Sequence, residues 1–275
     1  MPTVLALSPH LDDAVFSCGG LLALLADQGW RVVMTTAFTR SVPGPTGFAL
    51  ACQTDKGLAP EVDYMALRRA EDTEAAAILG VADVRWLDLL EAPHRGYNSA
   101  PELFGPVLDG DDAWRPLAGL LRGMLAEVEP ALVLAPQGLG NHVDHRQMIR
   151  AVLAAGTGQR LAFYRDTPYA LRNPGAVPDA RLAGCGSCTV GITAGLDRKV
   201  AASCAYTSQV GFQFGGPAEV GRALRAFAAA EGGGAPAERF LAASPEVVAL
   251  LGALLGGVVE GVAPLGQPGH HAATL

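Results

Sequence analysis

The chain has 275 residues, 50% of them hydrophobic and only 17% charged, with a formal net charge of −7. That length suits one large domain with a well-buried core, and the composition excludes a disordered chain. The acidic balance argues against a nucleic-acid partner, and no apolar run reaches the roughly 18 residues of a membrane span.

Residues 3–8 read as a short strand buried on both faces. The polar stretch Ser8-Pro9-His10-Leu11-Asp12-Asp13 follows it directly. Gly19-Gly20 then opens a predicted helix that runs to about Gln28. Trp30 to Phe38 is a second strand, so the opening β-α-β predicts a parallel sheet with a right-handed crossover. Arg40 to Pro60 reads as a long loop, and loops of that length are often functional. Tyr64 to Leu79 is a helix stopped by Gly80, and Val84 to Leu89 a third strand. A polar, proline-punctuated segment leads through Glu91 and Pro93 to Asp112. Trp114 to Val128 is helical, Ala131 to Pro136 a fourth strand, and Asn141-His142-Val143-Asp144-His145 introduces a helix running to Ala155. Leu161 to Tyr164 is a fifth strand. Val177 to Ile192 holds further strand signal, Leu196 to Ala205 and Ala218 to Ala230 are helical, and Glu231 to Pro236 is a turn. Val247 to Val262 reads as a helix or packing arm, and Pro264 to Leu275 as a mobile tail carrying solvated His270 and His271.

The five cysteines, Cys18, Cys52, Cys185, Cys188 and Cys204, are odd in number and scattered. They predict no disulfide framework and fit a reducing cytoplasm. The N-terminus carries no basic segment or cleavage site, so no signal peptide is expected. Cys185-Gly-Ser-Cys188 has zinc-ribbon spacing but no second half, and reads as small residues at a turn.

Two polar clusters, each at the end of an apolar strand, carry the chemistry. Buried imidazoles and carboxylates are costly to desolvate, and a metal ion is the economical reason to place them there. In an open parallel sheet, ligands bind beyond the carboxyl ends of the strands that flank the switch in strand order. With order 3-2-1-4-5, the first and fourth strands flank it, and the two clusters converge. His10, Asp13 and His145 then supply the three ligands of a catalytic metal site. Asp12 is placed to take a proton from the metal-bound water. His142 is placed to stabilise an oxyanion or protonate a leaving amine, with Asp144 orienting His142 and raising its pKa. Such a set suits metal-assisted hydrolysis of an amide. His94 is a candidate substrate contact.

The motif Pro9-His10-x-Asp12-Asp13, the later His142-x-Asp144-His145, Arg68-x-x-Glu71 before Leu79-Gly80, and Lys199 followed by Ser208-Gln209 resemble the PIG-L/LmbE-like family of metal-dependent de-N-acetylases. The resemblance spans about residues 3–210. It implies a Rossmann-like three-layer α/β fold, with zinc held by His10, Asp13 and His145, Asp12 as general base and His142 as its partner. It also implies that Arg68 contacts substrate, with Glu91 meeting sugar hydroxyls. Leu11, Ala14 and Val143 depart from the family's usual Pro, Glu and Pro, and none of these changes removes a ligand. In the Pro93 to Asp112 insert, Arg95 and Tyr97 are expected to read a polar substrate.

The sequence therefore predicts a single domain over 1–263, with its core at about 3–210 and a helical elaboration at about 215–263. Its expected activity is zinc-dependent removal of an N-acetyl or other N-acyl group from a small-molecule amino-sugar conjugate. Fe2+ suits the same ligand set. The alternatives are an amidohydrolase for another N-acyl substrate, such as a natural-product precursor, and a non-catalytic metal-binding module. Homo-oligomers are compatible with the sequence. A dinucleotide enzyme is disfavoured, because no G-x-G-x-x-G follows the first strand.

Overall fold

The computed structural model describes residues 1–255. The end of the Val247 to Val262 segment, the tail and its two histidines lie outside the described residues. In chain order the strands are β1 (Thr3–Ser8), β2 (Arg31–Thr36), β3 (Asp83–Trp86), β4 (Leu132–Pro136), β5 (Leu161–Tyr164), β6 (Gly186–Gly191) and β7 (Ala237–Ala242). The helices are α1 (Asp13–Asp27), α2 (Gly47–Thr54), α3 (Tyr64–Leu79), α4 (Ala100–Leu103), α5 (Trp114–Val128), α6 (Val143–Ala155), α7 (Tyr169–Arg172), α8 (Leu196–Cys204), α9 (Thr207–Phe214), α10 (Pro217–Glu231) and α11 (Pro245–Leu255).

The seven strands among the described residues form one sheet of order β3-β2-β1-β4-β5-β7-β6. The first five run parallel, and β7 pairs antiparallel with both β5 and β6. The expected 3-2-1-4-5 core is present, extended by two strands. Successive strand side chains point to opposite faces, and both faces are covered. Val4 and Ala6 of β1 join the core formed with α1, α3, α8, α10 and α11. Leu5 and Leu7 join the core formed with α5 and α6. The result is the Rossmann-like three-layer fold anticipated from the motifs. Among the described residues, no helix is long and apolar enough to cross a membrane.

Several boundaries differ from expectation for local reasons. Helix α1 begins at Asp13, and Gly19-Gly20 lie inside it, beside a non-helical break at Cys18. The glycines are there for approach: a Cβ on Gly20 would stand 2.6 Å from Ile192 Cδ1 and 2.9 Å from Glu238 Oε1. The freed amides of Gly20 and Leu21 donate to the Glu238 carboxylate at 3.0 and 2.9 Å. Lys199 Nζ donates to the same carboxylate at 2.7 Å and to the Ser17 carbonyl at 3.0 Å, so α1, α8 and β7 are tied together. The loop between residues 40 and 60 contains α2. The 215–263 segment contains β7 as well as helices, because Phe240 and Ala242 complete the apolar face begun by β5. Cys185 leaves a turn, but Cys188 lies buried on β6, and all five cysteines are free.

Candidate active site

The centre forms where β1 and β4 end side by side. After β1 the chain turns sharply: Ser8 Oγ donates to the His10 carbonyl at 2.6 Å and accepts from Ala14 N at 3.1 Å. The Asp12 and Asp13 amides fold back on the same carbonyl, at 2.9 and 3.4 Å. Asp12 pays with an unusual backbone, φ 155° and ψ −32°, a conformation that L residues rarely adopt. The turn separates the adjacent carboxylates. Asp13 faces the imidazoles, and Asp12 faces Arg68, whose guanidinium lies 3.6 Å away.

After β4, the loop through Asn141, itself at φ 63°, delivers α6. His142 caps that helix, its Nδ1 accepting from Asp144 N at 3.2 Å. His145 follows one turn in, fully buried.

Each imidazole has one nitrogen assigned by its surroundings. His10 Nε2 meets Asp144 Oδ2 at 2.9 Å, which leaves Nδ1 facing Asp13 Oδ2 at 3.1 Å. His145 Nδ1 meets Asp166 Oδ1 at 2.5 Å, which leaves Nε2 3.2 Å from the same Asp13 oxygen. That Nε2 is buried and makes no aligned hydrogen bond. With each imidazole neutral and its outer N–H on a carboxylate, the lone pairs of His10 and His145 converge with Asp13 Oδ2. A divalent cation would satisfy the three converging acceptors; without one, the rings satisfy Asp13 by taking up a proton, and His10 and His145 are both raised above the usual imidazole value. The two donor separations match the edges of roughly 3.3 Å expected of a tetrahedron with metal–ligand bonds of about 2 Å. The carboxylate behind each imidazole is the usual support for a metal-ligating histidine. The residues present therefore fit a divalent metal.

The ring nitrogens of His10, His142 and His145 also lie within 4.8 Å of one another. Donor chemistry separates His142 from the other two. Its Nδ1 already accepts a backbone N–H, so a neutral ring carries its proton on Nε2 and offers no lone pair there. Burial and then the neighbouring charge of His10 hold the His142 pKa well below the usual imidazole value. His142 is thus a neutral hydrogen-bond donor beside His10 and His145.

The carboxylates are tuned apart. Burial pushes Asp12 up to about 7, against the pull of Arg68. Burial also acts to raise Asp13, but His145 and His10 outweigh it and hold Asp13 well below the usual range. His145 is raised to about 9: burial opposes its charge, and Asp13 and Asp166 more than compensate.

The structure brings His10, Asp12, Asp13, His142, Asp144, Arg68 and Glu91 to one cleft of about 220 Å3, with His145 directly beneath. Arg68 donates to Glu91 at 2.8 Å and to the Leu11 carbonyl at 3.2 Å. Four expectations need correction. Asp144 does not grip the His142 ring; its carboxylate takes His10, Ala92 N at 3.0 Å and Arg95 at 2.6 Å. Arg95 does not face the cleft. Its nitrogens are all engaged, by the Asp111 carboxylate, the Leu90 carbonyl and Asp144, so it positions Asp144 from behind. Tyr97 is fully buried on Asp111, and His94 lines a neighbouring depression with Arg40 and Asp63. Asp166 was missed by sequence reasoning. Its signal was an acid two residues beyond β5, the strand next to β4.

Fold and cluster together define a class: a Rossmann-like α/β protein with a His/Asp centre at its switch point. The PIG-L family, described as GlcNAc-PI de-N-acetylase, matches residues 5–156, and the chain belongs to that family. A 2'-N-acetylparomamine deacetylase of Streptomyces fradiae is 34% identical over 168 residues, covering 60% of this chain and 57% of its own length. A second, from Niallia circulans, is 28% identical over 183 residues, covering 59% of this chain and 66% of its own. The chain thus spans about three-fifths of the curated relatives it matches. Among solved structures, the zinc-inhibited form of a teicoplanin deacetylase superposes with a TM-score of 0.73 at 27% identity, covering 87% of this chain and 97% of that one.

Proposed function

We propose that the protein is a metal-dependent N-deacetylase acting on an amino-sugar conjugate. The observation that carries this reading is the placing of Asp12: it lies in the cleft next to His10 and Asp13, but is turned from them towards Arg68, 3.6 Å away. His10, Asp13 and His145 would hold the ion, zinc by preference, with Fe2+ accepted by the same donors. A divalent cation there supplies Lewis-acid chemistry, activating water at neutral pH and polarising an amide carbonyl.

The chain's own groups do the rest. Asp12 accepts a proton from the attacking water and returns it to the departing amine nitrogen as the C–N bond breaks. The His142 Nε2–H donates to the oxygen on which negative charge develops. Arg68, 3.6 Å from Asp12, opposes the rise that burial imposes on the Asp12 pKa, and with Glu91 it presents a donor and an acceptor to substrate hydroxyls. Asp144 and Asp166 hold the two ligating rings. The products are acetate and a free amino sugar.

The relatives named as deacetylases of 2'-N-acetylparomamine and of teicoplanin support an amino-sugar substrate of natural-product type. They equally keep open a different N-acyl group on such a precursor. A non-catalytic module is disfavoured, because the proposed base and two of the proposed ligands line one cleft. Residues 1–263 are taken as one functional unit, and the free cysteines favour a reducing cytoplasm.

The test is acetate release from a panel of N-acetylglucosamine conjugates, with metal content measured on the same preparations. Turnover in wild type, lost in Asp12→Ala with metal retained, is the expected result. Full activity in Asp12→Ala overturns the mechanism.

A further inference from the structure

One wall of the cleft is built from α3 and α9, which supply Tyr64, Arg68 and Gln209 to it. The two helices meet on a carboxylate that does not itself line the cleft. Glu71, one turn beyond Arg68, is 6% exposed. Its Oε1 accepts from Thr207 Oγ1 and from Ser208 N, both at 2.7 Å, and its Oε2 accepts from Ser208 Oγ at 2.7 Å. Gln209 Nε2 in turn donates to Ser208 Oγ at 2.7 Å and to Tyr64 Oη at 3.0 Å.

The directions of these bonds follow from one another. A carboxylate accepts and does not donate, so the single hydroxyl proton of Ser208 goes to Glu71, and its lone pairs are left for Gln209. The Gln209 amide must then face Ser208 and Tyr64 with its nitrogen, and both of its protons are spent there. Its Oε1 is left without a hydrogen-bond partner among the described residues, on a side chain that is 2% exposed and lines the cleft. Tyr64 Oη accepts from Gln209, and its own proton has no acceptor among the described residues.

We propose that Glu71 is a positioning residue for substrate binding: acting through Ser208, it fixes the polarity of this wall, so that Gln209 presents an acceptor and Tyr64 a donor to a substrate hydroxyl. This rests on the deacetylase reading and adds to it a residue that touches neither substrate nor metal donors. A hydroxyl donates one proton and accepts another, so it answers both groups at once. Capping the first turn of α9 needs only Glu71 Oε1, which takes the free amide of Ser208. The second oxygen, on Ser208 Oγ, is what orders the relay. Turning the Gln209 amide over would set two acceptors, Oε1 and Ser208 Oγ, face to face, so the wall cannot adapt to a substrate of the opposite polarity.

The experiment exchanges amide and carboxylate. In Glu71→Gln the side-chain carbonyl must keep the Ser208 N–H, so the new amide nitrogen donates to Ser208 Oγ. The Ser208 proton then turns to Gln209, whose amide turns over and shows the cleft a donor. In Glu71→Gln/Gln209→Glu the new carboxylate accepts from Ser208 and Tyr64 and again shows the cleft an acceptor. Kinetics are measured on the metal-loaded full chain with the N-acetylglucosamine conjugate that wild type deacetylates fastest. KM is expected to rise about ten-fold in Glu71→Gln, with kcat within about two-fold of wild type, and to return to within about three-fold of the wild-type KM in the double variant. Ser208→Ala, which removes the relay and keeps the cap, should also raise KM, and it decides the matter if Glu71→Gln does not fold. Thr207→Val removes a Glu71 bond outside the relay and should leave KM unchanged. An unchanged KM in Glu71→Gln or Ser208→Ala, no recovery in the double variant, or a KM in Thr207→Val as high as in Glu71→Gln overturns the proposal. If no conjugate is deacetylated, the parent reading fails, and calorimetric binding of N-acetylglucosamine decides the wall by itself. Binding about ten-fold weaker in Glu71→Gln and recovered in the double variant supports it; equal binding, or none in wild type, overturns it.

Discussion

The centre and the mouth of the cleft are built by opposite means. At the centre, strand ends and helix starts supply the side chains, and nearly every polar atom has an assigned partner. Asp13, Asp144 and His145 are 4%, 0% and 0% exposed. At the mouth, short helices and the chain that joins them supply exposed rings whose neighbours are other cleft residues, His142 and Tyr169 for Phe104 and Lys56 for Phe212. The difference teaches a division of labour: the sheet fixes the reaction, and the connections select what the reaction is applied to.

The largest expected effect falls on the centre. Asp12→Ala should lower turnover by about 10²–10⁴, the usual worth of a positioned general base, without changing bound metal. His145→Ala should lose both. Metal retained in His145→Ala would sink the ligand assignment and give weight to His142 instead.

A comparable loss, read as stability, should follow from breaking the ion pair behind α1. Lys199 and Glu238 are 3% and 4% exposed at the side chain. Lys199→Met leaves the Glu238 carboxylate buried with only the Gly20 and Leu21 amides, so unfolding should be easier by about 3–5 kcal/mol in denaturant titration. Adding Glu238→Gln should recover part of that. An unchanged midpoint in the single variant would mean that the break in α1 does not need this anchor.

A smaller effect separates ligands from their supports. Asp166→Asn keeps all three proposed ligands but weakens the carboxylate that orients His145. Metal affinity, read by chelator competition, should fall about 10–100-fold. At saturating metal the variant should turn over nearly as fast as wild type. No change in affinity would show that the packing around His145 alone sets its orientation.

The same contrast governs what the sequence disclosed. The centre was legible because its residues sit next to one another in two motifs, and the continuous apolar runs Val4 to Leu7 and Leu132 to Ala135 fix where those motifs emerge. Asp166 was not, because a single acid after a strand looks like any loop residue until His145 is seen beside it. Arg95 was misread for a related reason. An arginine in a polar insert suggests a substrate contact, and only the fold shows Asp111 and Asp144 occupying both sides of its guanidinium. Gly19-Gly20 suggested a helix start, whereas the partners that require glycine, Ile192 and Glu238, lie over 170 residues away. Strand β7 was hidden by an alanine-rich surrounding that reads as helix.

Arg95 is also where centre and mouth meet, and it frames the smallest prediction. Asp111 anchors the insert that carries Phe104, accepting from Arg95 at 3.1 and 3.0 Å and from Tyr97 Oη at 2.8 Å. Burial acts to raise its pKa, but Arg95 and Tyr97 outweigh it and hold the carboxyl below its usual value. A carboxyl depressed on folding contributes stability that is fully present above the unfolded value of about 3.9, and that is lost as pH falls through the folded value. The stability difference between wild type and Asp111→Asn should therefore be constant between about pH 5 and 8, on the order of 1 kcal/mol, and should shrink below about pH 4. If thermal unfolding gives a difference that persists at low pH, the carboxylate's charge is not what holds the insert. The link from mouth to centre would then run through the apolar contacts of Tyr97, Leu103 and Val143 instead.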